Sequence, residues 1–290
     1  MILITGATGY LGKNLASALA DKEDVRILTR NPKLMTEYET IVGDLRDIKD
    51  AKRAVKDVDY VFHAAVLKQH NAPQQILDEV NVRGTNNLIR ASIDEGLEKI
   101  TYISSVAADE KEIYTNYSLS KRRAEELTKM YWPEIEIPII RPSGIYDKER
   151  IERWSRLAWL PFPDIDSITH LSYMDPLLEA MLNSRKKGRS KIYTVVDENW
   201  ISLKEFYSSI VESSGRKPRF APGFLYNLGL LLADLTAFPA LVTGRTPITT
   251  SRHIETVLQD RAYDSRPAAR ELKFEPADTR TVIQRVLSSS

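Results

Sequence analysis

Cysteine is absent from this 290-residue chain, which excludes disulfides and thiolate chemistry. Histidine is scarce: with four in all, no metal centre is expected. Net charge is missing too. Forty-one Lys and Arg against 40 Asp and Glu leave +1 with no basic or acidic tail, so no nucleic-acid partner is expected. Internal repeats and low-complexity linkers are lacking. Met1 runs straight into Ile2-Leu3-Ile4 without the basic region that opens a secretion signal. These absences lead us to expect a cytoplasmic protein acting on a small molecule, long enough for one large or two modest cores.

What is present begins at once. Behind the apolar run stands Thr5-Gly6-Ala7-Thr8-Gly9-Tyr10-Leu11-Gly12, a glycine-rich turn between a strand and a helix. Gly6 lets the chain reverse, Gly9 removes a Cβ where a phosphate must approach, and Gly12 brings the new helix close to the sheet. The helix N-terminus then offers free N–H groups to an anion. The turn predicts a dinucleotide site built from Gly6, Thr8, Gly9, Tyr10, Leu11 and Gly12.

Up to residue 148, apolar runs alternate with helical patterns. Strands are expected at 1–5, 25–29, 39–42, 59–64, 99–104 and 135–140, and helices at 11–20, 47–57, 78–95 and 117–131. Strands this apolar are buried on both faces, as in a parallel sheet covered by helices. The expected fold class is therefore α/β, a Rossmann-like doubly wound parallel sheet with its ligand at the carboxyl ends of the strands. After 148 the pattern is mostly helical and broken by prolines, with one short strand near 191–196. We expect a dinucleotide-binding domain over 1–148, with a helix at about 175–186 packing on it. A smaller substrate-binding lobe follows over 149–290.

A second motif carries chemistry. Tyr117-Ser118-Leu119-Ser120-Lys121 sets a tyrosine and a lysine four apart, on one face of a helix that follows the fifth strand. A lysine ammonium and an oxidised nicotinamide beside Tyr117 would pull its phenol toward the range of a working base. Lys121 can also hold ribose hydroxyls. Strand two ends at Arg30, where a carboxylate would accept ribose hydroxyls. An arginine instead clamps a 2′-phosphate, so NADP is expected ahead of NAD. Ala64 and Ala65 end strand four and let the backbone pass under the cofactor. His63 before them reads as a packed residue rather than a catalyst.

The spacing Gly6-x-x-Gly9-x-x-Gly12 together with Tyr117-x-x-x-Lys121 resembles short-chain dehydrogenases/reductases of the extended, epimerase/dehydratase-like type. That group includes dihydroflavonol reductase- and sterol dehydrogenase-like members. The resemblance implies further roles. Ser105 donates to the substrate oxygen, with Ser104 as the competing choice and as a cofactor neighbour. Asp44, with Leu45, lies beside the adenine, and Asn81 holds a water that links Lys121 to solvent. Pro142, Ser143 and Gly144 lie along the nicotinamide. The stretch 260–276 is similar to the family's closing strand and helix. Family members also commonly pair the helices at 78–95 and 117–131 into a homodimer, for which Leu88, Ile89, Leu127 and Met130 are the candidate outer face.

Three functions follow. The first is an NADP-linked oxidoreductase acting at a secondary alcohol or ketone, with Tyr117 as acid/base. The second is a nucleotide-sugar epimerase or dehydratase with the same tetrad and a retained cofactor. The stretch His63 to Lys68 resembles dehydratases and leans toward it, whereas the short gap from Ser105 to Tyr117 and Ile145-Tyr146-Asp147, without the usual glycine, lean away. The third is a non-catalytic NADP-binding scaffold. A substrate pocket is expected between Ser105/Tyr117 and the helical lobe. Its walls are Trp154, Leu157, Trp159, Leu160 and Phe162 on one side, and Phe224, Leu225, Tyr226 and Leu228 on the other. Arg150, Arg153 and Arg156 read as a solvated helix face, and the apolar walls favour a hydrophobic alcohol or ketone. The apolar stretch 220–243, broken by Pro222 and Pro239, reads as a pocket-lining helix. Its alternative is contact with a membrane surface.

Overall fold

The computed structural model describes residues 1–31, 37–69, 72–112, 114–222 and 251–288. They form two compact units. The first comprises residues 1–142, 178–194 and 267–274; the second comprises the described residues of 143–177, 195–266 and 275–290. Phe224, Leu225, Tyr226 and Leu228, and the apolar stretch from 223 onward, lie outside the described residues.

The first unit is built on a seven-stranded sheet. Six strands are β1 (Ile2–Thr5), β2 (Val25–Thr29), β3 (Glu39–Val42), β4 (Tyr60–His63), β5 (Ile100–Ile103) and β6 (Ile139–Pro142), and Ile192–Val195 is the seventh. From one edge the order is Ile192–Val195, β6, β5, β4, β1, β2, β3. The pairings from β3 across to β6 are all parallel. Connection direction reverses at β1, flanked by β2 and β4, which is where such sheets open a ligand crevice. β1, β2, β4 and β5 are buried along their whole length, with Arg26 of β2 bonded to Glu39, while edge strand β3 is partly exposed. Burying each Leu, Ile or Val there contributes about 1.5–3 kcal/mol.

Among the described residues, the helices on this sheet include α1 (Tyr10–Leu19), α2 (Ile48–Val55), α4 (Gly84–Asp94) and α5 (Asn116–Met130), and part of Met174–Lys187, whose Ser184 Oγ meets Thr101 Oγ1 of β5 at 2.7 Å. The helix expected over 78–95 is subdivided. A short α3 (Gln74–Leu77) leads into a π-helical turn over Asp78–Arg83 before α4 begins. Leu88 and Ile89 are fully buried in the sheet-facing core rather than on an outer pairing face. Met130 is 73% exposed and Leu127 half-buried. The last of the expected strands sits later than its pattern suggested. Ile135 and Ile137 are buried in the core but precede the ladder, which starts at Ile139.

The second unit packs helices Lys148–Arg156, Leu203–Ser213 and Thr279–Ser288 around Tyr146, Ile151, Tyr173, Ile210 and Ile283. Asp147 caps the first of these helices by accepting from the Arg150 N–H at 2.8 Å. An aspartate thus starts a helix directly after Tyr146. Residues 260–264 form no strand. The Arg261 N–H donates to the Ile168 carbonyl and the Tyr263 N–H to the His170 ring, so no regular ladder develops. The helix expected next is present at Arg266–Leu272, and from Pro267 on it belongs to the first unit.

Candidate functional site

A cavity of about 340 Å³ opens at the carboxyl ends of β1, β2, β3 and β4. Its walls include Thr5, Gly6, Thr8, Gly9, Thr29, Arg30, Asn31, Gly43, Asp44, Leu45, Ala64 and Ala65. Gly6 is obligatory on two counts. Its φ is +74°, and a Cβ there would lie 2.6 Å from the Ala64 and Ala65 backbone. A Cβ on Gly12 would lie 2.3 Å from the Gly6 carbonyl oxygen, so α1 can rise from the turn only with glycine there. The Gly9 N–H donates to Gly6 at 2.9 Å, and Gly9 caps α1 with no side-chain acceptor and no acidic residue in the first turn. The first N–H groups of α1, from Tyr10, Leu11 and Gly12, therefore point positive partial charge out of the helix end. This cradle, which closes only with glycine at positions 6 and 12, fits the pyrophosphate of a dinucleotide.

At the far end of the cavity Arg30 is exposed, and no carboxylate stands at the end of β2. Asp44 is engaged by Arg46 through both carboxylate oxygens, which holds its carboxyl below the usual range. The Asp44 N–H is held by Asp50, and a Cβ on Gly43 would lie 2.7 Å from that same side chain. Thr5, Thr29, Asn31, Gly43, Val66 and Val80 line the cavity without having been assigned from sequence. Only Gly43, a glycine at a strand end, carried a readable signal.

The chemistry-bearing residues stand on β5 and α5. Thr115 and Ser118 form a reciprocal capping box, with Ser118 N–H to Thr115 Oγ1 at 3.0 Å and Thr115 N–H to Ser118 Oγ at 2.7 Å. That box pins Tyr117 in the first turn of α5, with Lys121 one turn further on. Burial pushes the Tyr117 phenol up to about 12, against the lowering effect of Ser105. Burial also drives the Lys121 ammonium down to about 7, with Glu125 opposing. Lys121 Nζ donates to the Tyr102 hydroxyl at 2.8 Å and the Ile103 carbonyl at 3.0 Å. Desolvation is the largest cause at both groups, raising the Tyr117 phenol and lowering the Lys121 ammonium.

The two serines separate cleanly. Ser104 is buried and donates to Glu125, which Arg141 grips in a bidentate pair at 2.8 and 2.7 Å. Its proton is given away, while Ser105 is half-buried and its Oγ accepts from the Ala107 N–H at 3.2 Å, which leaves its own proton to offer. Asn81 lies in the π turn. It accepts from the Leu67 N–H at 2.8 Å and donates to the Leu67 carbonyl and to Ser120 Oγ at 2.9 Å, and Ser120 in turn donates to the Tyr117 carbonyl. Its link to the site therefore runs through Ser120 and not directly to Lys121. Beneath lies a feature the sequence hid. Thr85 donates to the Asn81 carbonyl, so it must accept from His63 Nε2–H, and Thr5 then donates to His63 Nδ1. His63 is a neutral, fully buried strut, pushed down to about 3 by burial and by the Lys121 charge.

Pro142 ends β6 in the first unit. Ser143 and Gly144 belong to the second, where the Ser143 N–H donates to Ser172 Oγ and Gly144 pairs with Leu171. Of the expected substrate wall, Trp154 packs on Phe206 and Phe162 stacks on Tyr207, but Leu157, Trp159 and Leu160 are exposed. Arg153 and Arg156 are exposed, whereas Arg150 is half-buried and donates to the Ile145 carbonyl.

Comparison with known proteins agrees with this arrangement. The sequence profile of the NAD dependent epimerase/dehydratase family matches residues 2–149. A 4-hydroxy-2-methyl-3-oxo-4-farnesyl-3,4-dihydroquinoline-1-oxide ketoreductase of Stigmatella aurantiaca is 25% identical over 74% of this chain and 73% of its own length. A UDP-glucose 4-epimerase of Vibrio cholerae is 29% identical over 70% of this chain and 73% of its own. Among solved structures, a UDP-glucuronic acid 4-epimerase from Bacillus cereus in complex with NAD superposes with a TM-score of 0.73. It is 18% identical and the match covers 99% of this chain and 95% of that one.

Proposed function

Because the chain belongs to the NAD dependent epimerase/dehydratase family, we propose that it is an NAD(P)-dependent oxidoreductase working at a ketone or secondary-alcohol carbon. The observation that carries this reading is a buried tyrosine and a buried lysine, Tyr117 and Lys121, one turn apart on α5, with Ser105 acting on the tyrosine's phenol. When bound, the nicotinamide supplies or accepts hydride. Tyr117, kept protonated by burial, gives its proton to the ketone oxygen, and Ser105 donates a second hydrogen bond to the same oxygen. Lys121 holds the ribose and offsets charge that develops on Tyr117. The turn from Gly6 to Gly12 carries the pyrophosphate. Arg30 favours NADP over NAD, since its guanidinium is exposed at the cavity wall and can clamp a 2′-phosphate. The 29%-identical epimerase supports a second reading, in which the same residues act on a nucleotide sugar while the cofactor stays bound.

Two substitutions test this. Tyr117→Phe removes the proton donor and keeps the ring, so turnover of ketones with NADPH falls by about 10²-fold or more while calorimetric NADPH binding persists. Near-normal turnover removes Tyr117 from the mechanism. Arg30→Asp shifts preference toward NAD. Equal or tighter NAD binding by the unmodified protein overturns the NADP assignment, and NAD retained stoichiometrically through purification selects the epimerase reading.

A further inference from the structure

The second unit carries an exposed surface that the proposed chemistry does not use. Helix Lys148–Arg156 ends in Leu157, Trp159 and Leu160, which stand 51%, 62% and 42% exposed. This is a built feature. The Tyr207 hydroxyl donates to the Leu160 carbonyl at 2.7 Å, Phe162 stacks on Tyr207, and the Phe162 N–H donates to the Arg219 carbonyl at 3.0 Å. Strand pairing of Phe162 with Phe220 continues the same tie. The tie brings a second loop alongside. Gly215, at φ +71°, turns the chain out of helix Leu203–Ser213 and presents Arg216, Lys217 and Arg219, all exposed. Trp159 shares a surface hollow with those three cations.

The charge of the patch is one-sided. Among the described residues, the side chains of Arg216, Lys217 and Arg219 make no ion pair or hydrogen bond, and exposed Arg156 adds a fourth cation beside Leu157. Neighbouring carboxylates are offset in part: Asp164 pairs with Lys204 at 2.7 Å and Glu152 with Lys148 at 3.8 Å, while Glu212 stands exposed. An indole flanked by aliphatic side chains and ringed by cations is matched to one kind of surface. Trp partitions to the boundary between headgroups and acyl chains, and Lys and Arg are drawn to anionic headgroups.

We propose that Leu157, Trp159 and Leu160, with Arg156, Arg216, Lys217 and Arg219, dock this protein peripherally on an anionic phospholipid bilayer. The apolar trio enters the headgroup boundary and the cations set the preference for negative lipid. No helix among the described residues is long and apolar enough to cross a membrane. Docking of this kind would bring the enzyme to membrane-dissolved substrates, but the proposal rests on the patch alone and not on the reaction assigned above.

Flotation of the full-length protein with vesicles is the test. The expected result is co-flotation with vesicles of equal parts phosphatidylcholine and phosphatidylglycerol at low ionic strength. Vesicles of phosphatidylcholine alone should bind little. Arg216→Gln with Lys217→Gln lowers the partition constant by roughly 25-fold, about fivefold per cation. Trp159→Ala lowers it as well and abolishes the blue shift of tryptophan emission on binding, with far-ultraviolet dichroism unchanged in both variants. Absence of binding to the anionic vesicles overturns the proposal. So does binding that survives both variants, and so does self-association that Trp159→Ala abolishes, which would assign the patch to a second copy of this chain.

Discussion

Two buried polar centres, one in each compact unit, meet the same desolvation and shift in opposite directions. In the first unit His63 is wedged between Thr5 and Thr85, and burial pushes it down to about 3, so it stays neutral by giving up a proton. In the second unit Asp197 accepts from the Tyr146 and Thr279 hydroxyls at 2.7 and 2.6 Å and from the Tyr173 N–H at 2.8 Å. Burial still pushes its carboxyl up to about 6, so the neutral form here is the one that gains a proton. The difference lies in their partners. Asp197 is surrounded by donors that suit an acceptor, and its role is to tie three segments together. His63 stands near Lys121, where a second cation would oppose the ammonium that the chemistry needs.

The sharpest way to break the comparison is to remove the acceptor from the second centre. Asp197→Ala leaves the Tyr173 N–H and two hydroxyls without their partner, and a loss of roughly 3 kcal/mol in urea unfolding is expected. Asp197→Asn retains Oδ1 for the Tyr173 N–H, and its amide can donate to the Tyr146 or Thr279 oxygen, so it recovers much of that loss. An alanine variant as stable as the parent would strip Asp197 of its organising role.

The two centres also differ in how far the sequence announced them. The glycine turn was legible because backbone geometry at Gly6 and Gly12 admits nothing larger. Tyr117 and Lys121 were legible because helical spacing brings them to one face. Ser105 and Ser104 stayed ambiguous, since Glu125, distant in sequence, decides which hydroxyl is occupied. The π turn at Asp78–Arg83 was read as ordinary helix because a change in hydrogen-bond register leaves no mark in composition. Leu88 and Ile89 stayed open between an outer face and the sheet because apolar residues suit a core and an interface alike. Asp197 was not noticed at all: its meaning comes from Tyr146, Tyr173 and Thr279, which converge only in three dimensions.

Acid should pull the two centres apart. The folded-state pKa of Asp197 lies above its ordinary value, so its contribution to stability is fully present below about 3.8 and is lost as pH rises through about 6, a change of roughly 2–3 kcal/mol. His63 has the opposite sign. Its folded-state value is depressed, so its contribution is present above about 6.5 and is lost as pH falls toward 3. Hydrogen exchange corrected for intrinsic rates should therefore show amides around Tyr173 and Asp197 gaining protection between neutral pH and pH 5, while those around His63 and Thr85 lose it. Parallel shifts in both regions would mean that one cooperative unfolding event hides the two titrations.

The smallest effect expected is a gain. Lys121 is almost wholly buried, and its folded-state value near 7 means that the unfolded chain binds this proton more tightly at every pH up to about 10.5. Stability from this residue is present above that pH and is lost as pH falls through 7, so at neutrality the lysine weakens the fold that holds it. A methionine has nearly the same length and needs no hydration. Lys121→Met forfeits the bonds to Tyr102 and the Ile103 carbonyl, which offsets part of the benefit, and a net gain of about 1 kcal/mol is expected. Turnover should vanish in the same variant, and the rise in stability from pH 7 to pH 10 should flatten. A destabilised Lys121→Met protein would show that the two hydrogen bonds outweigh the buried charge. Lys121 would then be a structural post like Asp197, and not a residue kept at the fold's expense for chemistry.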